Sequence, residues 1–383
     1  MTPAARIAAA IGVLDRVIAG QPAEQALLQW SRSSRFAGSG DRAAVRDHVF
    51  EALRRRNSLA RLGGGGDGRA LMIGLMREAD CDPADLFTGD GHAPPPLSAA
   101  ERDWQATGDP ETDLPAWLLP SWRESLGEDA DAIAAAMGHR APVWLRVNPL
   151  RGDTPQAVAM LAQEGIETRP APQLATALRV TAGERRIQQA AAYRAGLVEV
   201  QDLSPQLACA DLPLASGDRV LDFCAGGGGK TLALAGIVPD LQLVAHDADP
   251  ARMRDLPARA LRAGVQVQVS RQPQGPFRLV LADVPCSGSG TWRRQPDARW
   301  RLTPGLLEGL LGAQAQILDR CAGLVAPGGH LAYMTCSLLR DENDHQIAAF
   351  LARNPLFSEV SRTLWTPLQA GDGFFRAILR RAS

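Results

Sequence analysis

The chain has 383 residues, 45% of them hydrophobic and 22% charged, which indicates two or three folded domains with large buried cores. It contains no run of about 18 apolar residues and no charged-then-apolar leader, so we expect a cytoplasmic protein without a membrane partner. None of the six cysteines forms a Cys-x-x-Cys pair, which argues against a zinc ribbon and leads us to expect reduced thiols and no metal.

The formal net charge of −1 hides a strong segregation of charge along the chain. Residues 1–62 carry a net charge of +5, residues 63–140 a net charge of −10, and the remainder +4. The basic N-terminal segment is a candidate nucleic-acid surface, although a solvated helix face explains it equally well. Of the 41 basic residues, 40 are arginine and one is Lys230, whose compact ammonium group is a candidate for proton chemistry.

The N-terminal part of the chain is predicted to be helical. Apolar residues recur at helical spacing within residues 7–18 and again within residues 45–53, which predicts helices over residues 3–62. The sequence Gly-Gly-Gly-Gly-Asp-Gly at residues 63–68 predicts a flexible break. Residues 80–115 are rich in Asp, Pro and Gly and predict a linker, after which a helical stretch is expected from Pro115 to Met137.

The rest of the chain alternates predicted strands and helices. A small α/β subdomain is expected within residues 143–200, with strands at 143–147 and 197–200 and a helix at 155–164. From Gly217 the alternation is regular and predicts a doubly wound parallel sheet. Its predicted strands are 219–223, 241–246, 265–269, 278–282, 330–334 and 373–379, and its predicted helices include 304–325 and 341–351.

A glycine-rich loop follows the strand at 219–223 and leads into a helix. The loop consists of Cys224, Ala225, Gly226, Gly227, Gly228, Gly229 and Lys230, followed by Thr231. Glycines let a ligand approach the backbone closely, and the helix N-terminus offers free N–H groups. A P-loop needs glycine at the position of Cys224, and the loop does not complete a G-x-G-x-x-G dinucleotide motif. The remaining interpretation is a site for S-adenosyl-L-methionine (SAM), with its methionine part against the loop.

An acidic residue at the end of the second predicted strand is placed to bind ribose hydroxyls. Such an acid stands about 20 residues beyond the glycine loop in dinucleotide-binding folds. Asp247 is our candidate and Asp249 the alternative. Either residue could instead be an exposed acid that caps the helix starting near Pro250.

Two cysteines follow two of the predicted strands. Cys286 lies just after Asp283 in Asp-Val-Pro-Cys-Ser, and Cys336 lies in Thr-Cys-Ser. Because parallel strands present their carboxyl ends along one edge of a sheet, we expect both thiols to share one site with Asp283. Such a pair indicates covalent chemistry on an electrophilic ring, whereas a single cysteine at a strand end is often only a small buried hydrophobe.

Taken together, these motifs resemble the Sun/RsmB-type family of SAM-dependent RNA cytosine-C5 methyltransferases, in its bacterial rRNA-modifying branch. The matching segments are 222–231, 283–288, 293–300, 335–337 with Glu342-Asn343, and 371–375, within a resemblance that covers about residues 115–383. The resemblance implies a class I, Rossmann-like methyltransferase domain over 209–383 and a small α/β RNA-binding subdomain over 138–208. It also implies a helical, NusB-like RNA-binding domain with an acidic linker over 1–137.

The same resemblance implies roles for individual residues. Cys336 would be the nucleophile that adds to carbon 6 of cytosine, and Cys286 would assist product release. Asp283 would bind the cytosine edge and also contact the cofactor, while Lys230 would position or protonate the base.

The segment after the Cys286 loop is a candidate for RNA binding. Its candidate residues are Arg293, Arg294, Arg299 and Trp300. Cations beside an aromatic ring suit a single-stranded nucleotide, because phosphates bind arginine and bases stack on rings. The alternative is a tryptophan that packs the helix, with solvated arginines beside it.

Two departures from the family pattern bear on function. The family loop usually contains Pro where this chain has only glycine, and no acid occurs between Asp255 and Asp283, where the family usually has an adenine-contacting Asp. We expect methylation of rRNA, with tRNA as the alternative substrate. A non-catalytic RNA-binding or ribosome-assembly protein that retains the fold is the alternative of a different class. The oligomeric state is left open.

Overall fold

The computed structural model describes residues 1–108 and 112–383, and the chain divides into two compact units. The helical unit comprises Met1–Arg140 and Trp292–Thr303. The α/β unit comprises Ala141–Thr291 and Pro304–Ser383.

Helices precede the first strand of the described chain, and strands and helices alternate after it. The α-helices are α1 (Pro3–Ile18), α2 (Ala23–Ser33), α3 (Ser39–Arg54), α4 (Arg56–Gly63), α5 (Gly68–Glu78), α6 (Ala99–Asp103), α7 (Leu119–Leu126), α8 (Ala130–Met137), α9 (Thr154–Gln163), α10 (Ala191–Arg194), α11 (Leu203–Ala210), α12 (Gly229–Ile237), α13 (Leu256–Ala263), α14 (Pro296–Arg301), α15 (Pro304–Ala322) and α16 (Asp344–Arg353). The strands are β1 (Trp144–Val147), β2 (Glu167–Ala171), β3 (Leu174–Ala182), β4 (Val198–Val200), β5 (Arg219–Asp222), β6 (Gln242–Ala245), β7 (Gln268–Val269), β8 (Phe277–Asp283), β9 (Val325–Thr335), β10 (Phe357–Trp365) and β11 (Phe374–Arg381).

The helical unit is built around the apolar faces of α1 to α5. The helices predicted within residues 3–62 are confirmed as α1 to α4, and Leu14 and Val45 from their apolar faces are fully buried. Helix α5 was not predicted, although its Leu71 is also fully buried in the same core. The glycine break before α5 allows the chain to turn, and Asp67 caps the new helix by accepting the N–H of Ala70.

The segment predicted as a linker packs against the helical unit. Phe87 and Leu97 are buried in its core, and the carboxylate of Asp113 accepts the backbone N–H groups of Asn57 and Ser58 in the first turn of α4. Residues 109–111 of this segment lie outside the described residues. The helix expected over 115–137 is broken into α7 and α8, because the backbone leaves the helical conformation at Gly127, where φ is +57°.

The small α/β subdomain contains a four-stranded sheet in the order β2-β3-β1-β4. Its paired strands are antiparallel, and α9 and α10 pack on it through a common apolar core. The predicted strands at 143–147 and 197–200 are present as β1 and β4, whereas the hairpin β2-β3 was missed. Asn148 holds this sheet to the rest of the α/β unit, since its amide donates to the carbonyl oxygens of Gly196 and Ala263 at 3.1 and 2.9 Å.

The large sheet has seven strands in the order β10-β11-β9-β8-β5-β6-β7. Strands β7, β6, β5, β8 and β9 are parallel, as predicted, and β11 and β10 extend the sheet in antiparallel pairing. The antiparallel edge strand β10 was not predicted, and the strand predicted at 265–269 is shortened to the two residues of β7. The register pairs Asp222 of β5 with Leu281 of β8, and Asp283 of β8 with Met334 of β9. The three central strands therefore end at one edge of the sheet.

Replacing Gly74 by alanine is expected to destabilise the helical unit, because the added Cβ would lie 2.1 Å from the carbonyl oxygen of Leu59 in α4. Overpacking of this kind lowers the free energy of unfolding by about 1–3 kcal/mol. Gly12, in α1 with nothing within 4 Å of an added Cβ, is the matched control. Alanine there should stabilise by about 0.5–1 kcal/mol. Urea unfolding followed by circular dichroism measures both, and equal midpoints would contradict the close approach of α4 and α5.

Candidate active site

Two thiols meet where β8 and β9 end. The Sγ atoms of Cys286 and Cys336 lie 3.3 Å apart, and both side chains are half-buried. The backbone holds the two loops together, because the N–H of Gly290 donates to the carbonyl oxygen of Cys336 at 2.9 Å. The sequence-based expectation that these thiols share one site therefore agrees with their placement.

The two thiols of the pair have different surroundings. The contact with Cys336 and burial together raise the pKa of the Cys286 thiol well above its ordinary value. Cys286 is therefore the group that holds a proton and can donate it toward the sulfur of Cys336. Burial also raises the pKa of Cys209 and of Cys224 to about 12, so neither thiol is suited to act as a nucleophile near neutral pH.

Lys230 and Asp283 form an ion pair at the end of β8, the strand that leads into the Cys286 loop. The Nζ atom lies 2.5 Å from Oδ2 of Asp283 and 5.1 Å from the ring centroid of Phe374. Burial acts to lower the pKa of Lys230, but the carboxylate of Asp283 outweighs it and the pKa is raised above its ordinary value. The lysine is thus held as an ammonium ion, which can donate hydrogen bonds within the site.

The glycine loop follows β5 and is held in place by Asp247. The backbone takes positive φ at Gly226 (+49°) and at Gly228 (+78°), and a Cβ on Gly228 would lie 2.1 Å from Leu256. The carboxylate of Asp247 is buried and accepts the N–H of Gly226 at 3.0 Å. It also pairs with Arg252 at 3.1 Å. Its predicted contact with ribose stays a prediction, and in this structure the residue fixes the loop.

The alternative ribose candidate, Asp249, has a simpler structural role. Its side chain is exposed and accepts the N–H of Ala251 at 3.0 Å, which caps the short 3-10 helix that starts at Pro250. This contact corresponds to the capping role that the sequence left open. The family pattern has an adenine-contacting acid after the strand that corresponds to β7. In this chain Ser270 follows β7, and its carbonyl oxygen contacts Nδ1 of His246 at 3.0 Å.

Asp222, at the end of β5, is a site residue to which the sequence-based reasoning assigned no role. Its Oδ2 accepts the hydroxyl of Thr231 at 2.6 Å, whereas its Oδ1 is buried and has no hydrogen-bond partner in the part of the chain that the structure describes. Burial raises the pKa of this carboxyl to about 6. Its position as the first residue of the glycine-loop motif was the signal that could have identified it.

A second group of contacts ties the small sheet to the glycine loop. Glu199 of β4 is buried and forms ion pairs with Arg259 and Arg262 of α13. Arg259 also donates to the carbonyl oxygen of Gly227 at 2.5 Å. These contacts were not predicted, because acidic and basic residues far apart in sequence carry no periodic signal.

Glu342 connects the two cysteine loops. Its carboxylate is fully buried and accepts the backbone N–H of Ser287 at 2.7 Å and the amide of Gln314 at 3.0 Å. It also accepts the hydroxyl groups of Ser287 and Ser337, the residues that directly follow the two cysteines. The sequence predicts that Glu342 braces the Cys336 loop, and its contact with Ser337 agrees with this, whereas its link to the Cys286 loop was not predicted.

The structure corrects one of the four candidate RNA-binding residues, Arg299. Arg299 is fully buried in the helical unit, and its guanidinium donates to the carbonyl oxygens of Arg54, Asp113 and Met137. Trp300 packs against the helical core and its Nε1 donates to the carbonyl oxygen of Leu53 at 2.7 Å. In the sequence, arginines next to a tryptophan resemble an exposed RNA-binding surface, and the sequence does not show that α14 turns these side chains toward the helical core. Arg299 is therefore structural here, whereas contact of the half-buried Trp300 with RNA stays a prediction.

The remaining two candidates differ in exposure. Arg293 is buried, and its carbonyl oxygen accepts Nε of Arg54 at 2.7 Å, whereas Arg294 is half-buried. Their contact with RNA stays a prediction. Within residues 1–108 and 112–383, no cluster of His, Cys, Asp and Glu is arranged to hold a metal ion. In the same residues, no helix is both long and apolar enough to cross a membrane.

Comparison with known proteins identifies the family of this chain. A family model described as 16S rRNA methyltransferase RsmB/F matches residues 210–380, and a model of the RsmF/B-like ferredoxin-like domain matches residues 114–185. The chain is 36% identical over 310 residues to ribosomal RNA small subunit methyltransferase B of Xanthomonas campestris, covering 75% of this chain and 71% of the relative. The chain belongs to the RsmB family of methyltransferases. The ferredoxin-like match begins earlier than the subdomain start predicted at residue 138.

Further relatives and solved structures extend the comparison. Ribosomal RNA small subunit methyltransferase B of Klebsiella pneumoniae is 36% identical over 284 residues, which cover 69% of this chain but only 65% of that relative. The crystal structure of PH0851 has a TM-score of 0.79 at 22% identity and covers the whole of this chain and 99% of that one. NSun6 from Pyrococcus horikoshii, crystallised with SFG, has a TM-score of 0.63 at 17% identity over 70% of this chain and 98% of that one. These structural matches confirm the Rossmann-like methyltransferase fold.

Replacing Asp283 by asparagine is expected to lower the pKa of Lys230, because the carboxylate that raises it is removed while burial, which lowers it, remains. Lys230 is the only lysine in the chain, so reductive methylation with ¹³C-formaldehyde gives one lysine signal that can be titrated by NMR. Asp249→Asn is the matched control, since this exposed acid caps a different turn. An unchanged lysine titration in Asp283→Asn would contradict the ion pair.

Proposed function

We propose that this RsmB-family chain is a SAM-dependent RNA methyltransferase that forms 5-methylcytosine in small-subunit rRNA. The observation that carries the proposal is the pair of Cys286 and Cys336 sulfurs, 3.3 Å apart, together with the ion pair of Lys230 and Asp283. The rRNA substrate is supported by the names of the relatives that align with most of the chain. A protein that only binds RNA needs neither thiol.

The chemistry of cytosine explains why a thiol is required. Carbon 5 is a poor nucleophile until the sulfur of Cys336 adds to carbon 6, which moves electron density onto carbon 5 and ring nitrogen 3. The ammonium of Lys230, held by Asp283, is suited to donate a hydrogen bond to the base as this charge develops. SAM, when bound, supplies the electrophilic methyl group that carbon 5 accepts.

Product release requires two further changes. The proton on carbon 5 must leave to a water molecule, its C–H electron pair forms the carbon 5–carbon 6 double bond, and the bond between carbon 6 and the sulfur of Cys336 breaks, with its electron pair returning to the sulfur. We assign Cys286 to this step, because its sulfur lies within 3.3 Å and its thiol can donate to the departing thiolate. The target base must be unpaired or extruded to reach these groups.

The residues around the glycine loop fit a SAM molecule. Four consecutive glycines leave the loop backbone without side chains, φ is positive at Gly226 and Gly228, and α12 begins within the loop at Gly229. The buried Oδ1 of Asp222 lacks a hydrogen-bond partner among the described residues, so it can accept one from the amino group of the methionine part. Asp247 and Asp283 stand at the ends of the adjacent strands and complete the set that we propose for the cofactor.

The proposal predicts which RNA the protein modifies. Incubation with labelled SAM and unmodified 16S rRNA, followed by digestion to nucleosides, should place label in 5-methylcytidine. Label in tRNA instead of rRNA would favour the alternative substrate. Absence of label in both RNA classes, together with retained RNA binding, would favour a non-catalytic assembly protein and contradict the proposal.

Substitution of the two cysteines should separate their roles. Cys286→Ala should trap a covalent protein–RNA species, visible as a denaturant-resistant band of reduced mobility, because the adduct forms but is released slowly. Cys336→Ala should form neither the band nor 5-methylcytidine. Cys81→Ala is the matched control, since this thiol is exposed in the helical unit. Identical behaviour of the first two variants would remove the assignment of separate roles.

A further inference from the structure

The buried carboxylate of Glu342 contacts both cysteine loops. Glu342 has no exposed surface, and the groups that bond its carboxylate in the described structure are a backbone N–H, an amide and two hydroxyls, none of which carries a charge. Burying a carboxylate without a cation is unfavourable unless hydrogen bonds compensate it. A residue that serves only to pack the loops has no need of this charge.

The hydrogen bonds around Glu342 match an ionised carboxylate. Its Oε1 faces two obligatory donors, the N–H of Ser287 and the amide of Gln314. Its Oε2 faces the hydroxyls of Ser287 and Ser337. Each of these hydroxyls already accepts a backbone N–H, from residues 289 and 339 respectively, so its own proton is available to point toward Glu342. All four neighbours can therefore donate at once.

The charge lies close to the thiol pair. The N–H that Glu342 accepts belongs to the residue after Cys286, and the hydroxyl of Ser337 belongs to the residue after Cys336. A negative charge near a thiol disfavours loss of its proton, and the carboxylate is one of the groups that raise the pKa of Cys286. Glu342 is therefore able to influence both the geometry and the protonation of the pair.

We propose that Glu342 is a positioning residue that locks the two cysteine loops together and, through its buried charge, keeps Cys286 as the proton donor of the thiol pair. This inference rests on the proposed function, because it concerns the proton that Cys286 would donate during product release. Without the charge, one of the causes that raise the pKa of Cys286 is removed, beside the contact with Cys336 and burial, which remain. A thiolate at Cys286 could no longer donate a hydrogen to the sulfur of Cys336.

The test measures the protonation of Cys286 directly. In a Cys336→Ser background, the rate of alkylation of Cys286 by iodoacetamide is followed by peptide mass spectrometry across a pH series. Adding Glu342→Gln, which keeps the size of the side chain but removes its charge, should shift the alkylation profile toward lower pH. Because the thiolate is the reactive form, a shift of one pH unit raises the rate about tenfold on the rising part of the profile.

Two further variants separate charge from structure. Glu342→Asp retains the charge and should leave the profile close to that of the parent. Tyr333→Phe removes the hydrogen bond from the tyrosine hydroxyl to the carbonyl oxygen of Glu342, at 2.7 Å, without altering the carboxylate. It should also leave the profile unchanged. An unchanged profile in Glu342→Gln, or an equal shift in Tyr333→Phe, would overturn the inference.

The readout distinguishes this inference from the proposed function, since alkylation requires neither RNA nor SAM. If the profile shifts as expected but the unmodified chain forms no 5-methylcytidine in any RNA, the proton assignment is supported and the proposed function fails. If the unmodified chain methylates RNA but Glu342→Gln leaves the profile unchanged, the inference alone fails.

Discussion

The parallel pairing of β8 with β9 is the contact on which the candidate active site depends. It places Asp283 opposite Met334, so that the loops carrying Cys286 and Cys336 leave the sheet side by side. Cys286 and Cys336 both follow the last residue of their strand, and both side chains remain half-buried. A shift of one residue in the register of β8 against β9 would point their side chains to opposite faces of the sheet. The burial of these strands therefore fixes the register and, with it, the placement of the two thiols.

Charge inside the α/β unit is arranged in small, separate groups. Asp283 neutralises Lys230, Glu199 is neutralised by two arginines of α13, and Glu342 is compensated by neutral donors. The first group lies at the end of β8 and the second joins the small sheet to the glycine loop. Each buried charge thus connects segments that are distant in sequence. These buried contacts hold the loops of the candidate active site together.

The features that could be predicted from the sequence are those with a local signal. Buried parallel strands are continuous apolar runs, and the motifs at their ends identified Cys286, Cys336, Asp283 and Lys230 as neighbours. The strands β3 and β10 were missed because their residues alternate between buried and exposed with few large apolar side chains. Burial of Arg299 could not be foreseen, because its partners are backbone carbonyl groups supplied by three distant segments.

The single lysine has a practical consequence for anyone who handles this protein. Among the side chains of this chain, only that of Lys230 can react with amine-directed dyes, cross-linkers and immobilisation resins. Labelling of lysine side chains would therefore modify the candidate active site rather than a surface residue away from it. A fluorophore for studying this chain belongs on an introduced surface cysteine or on a genetically encoded tag.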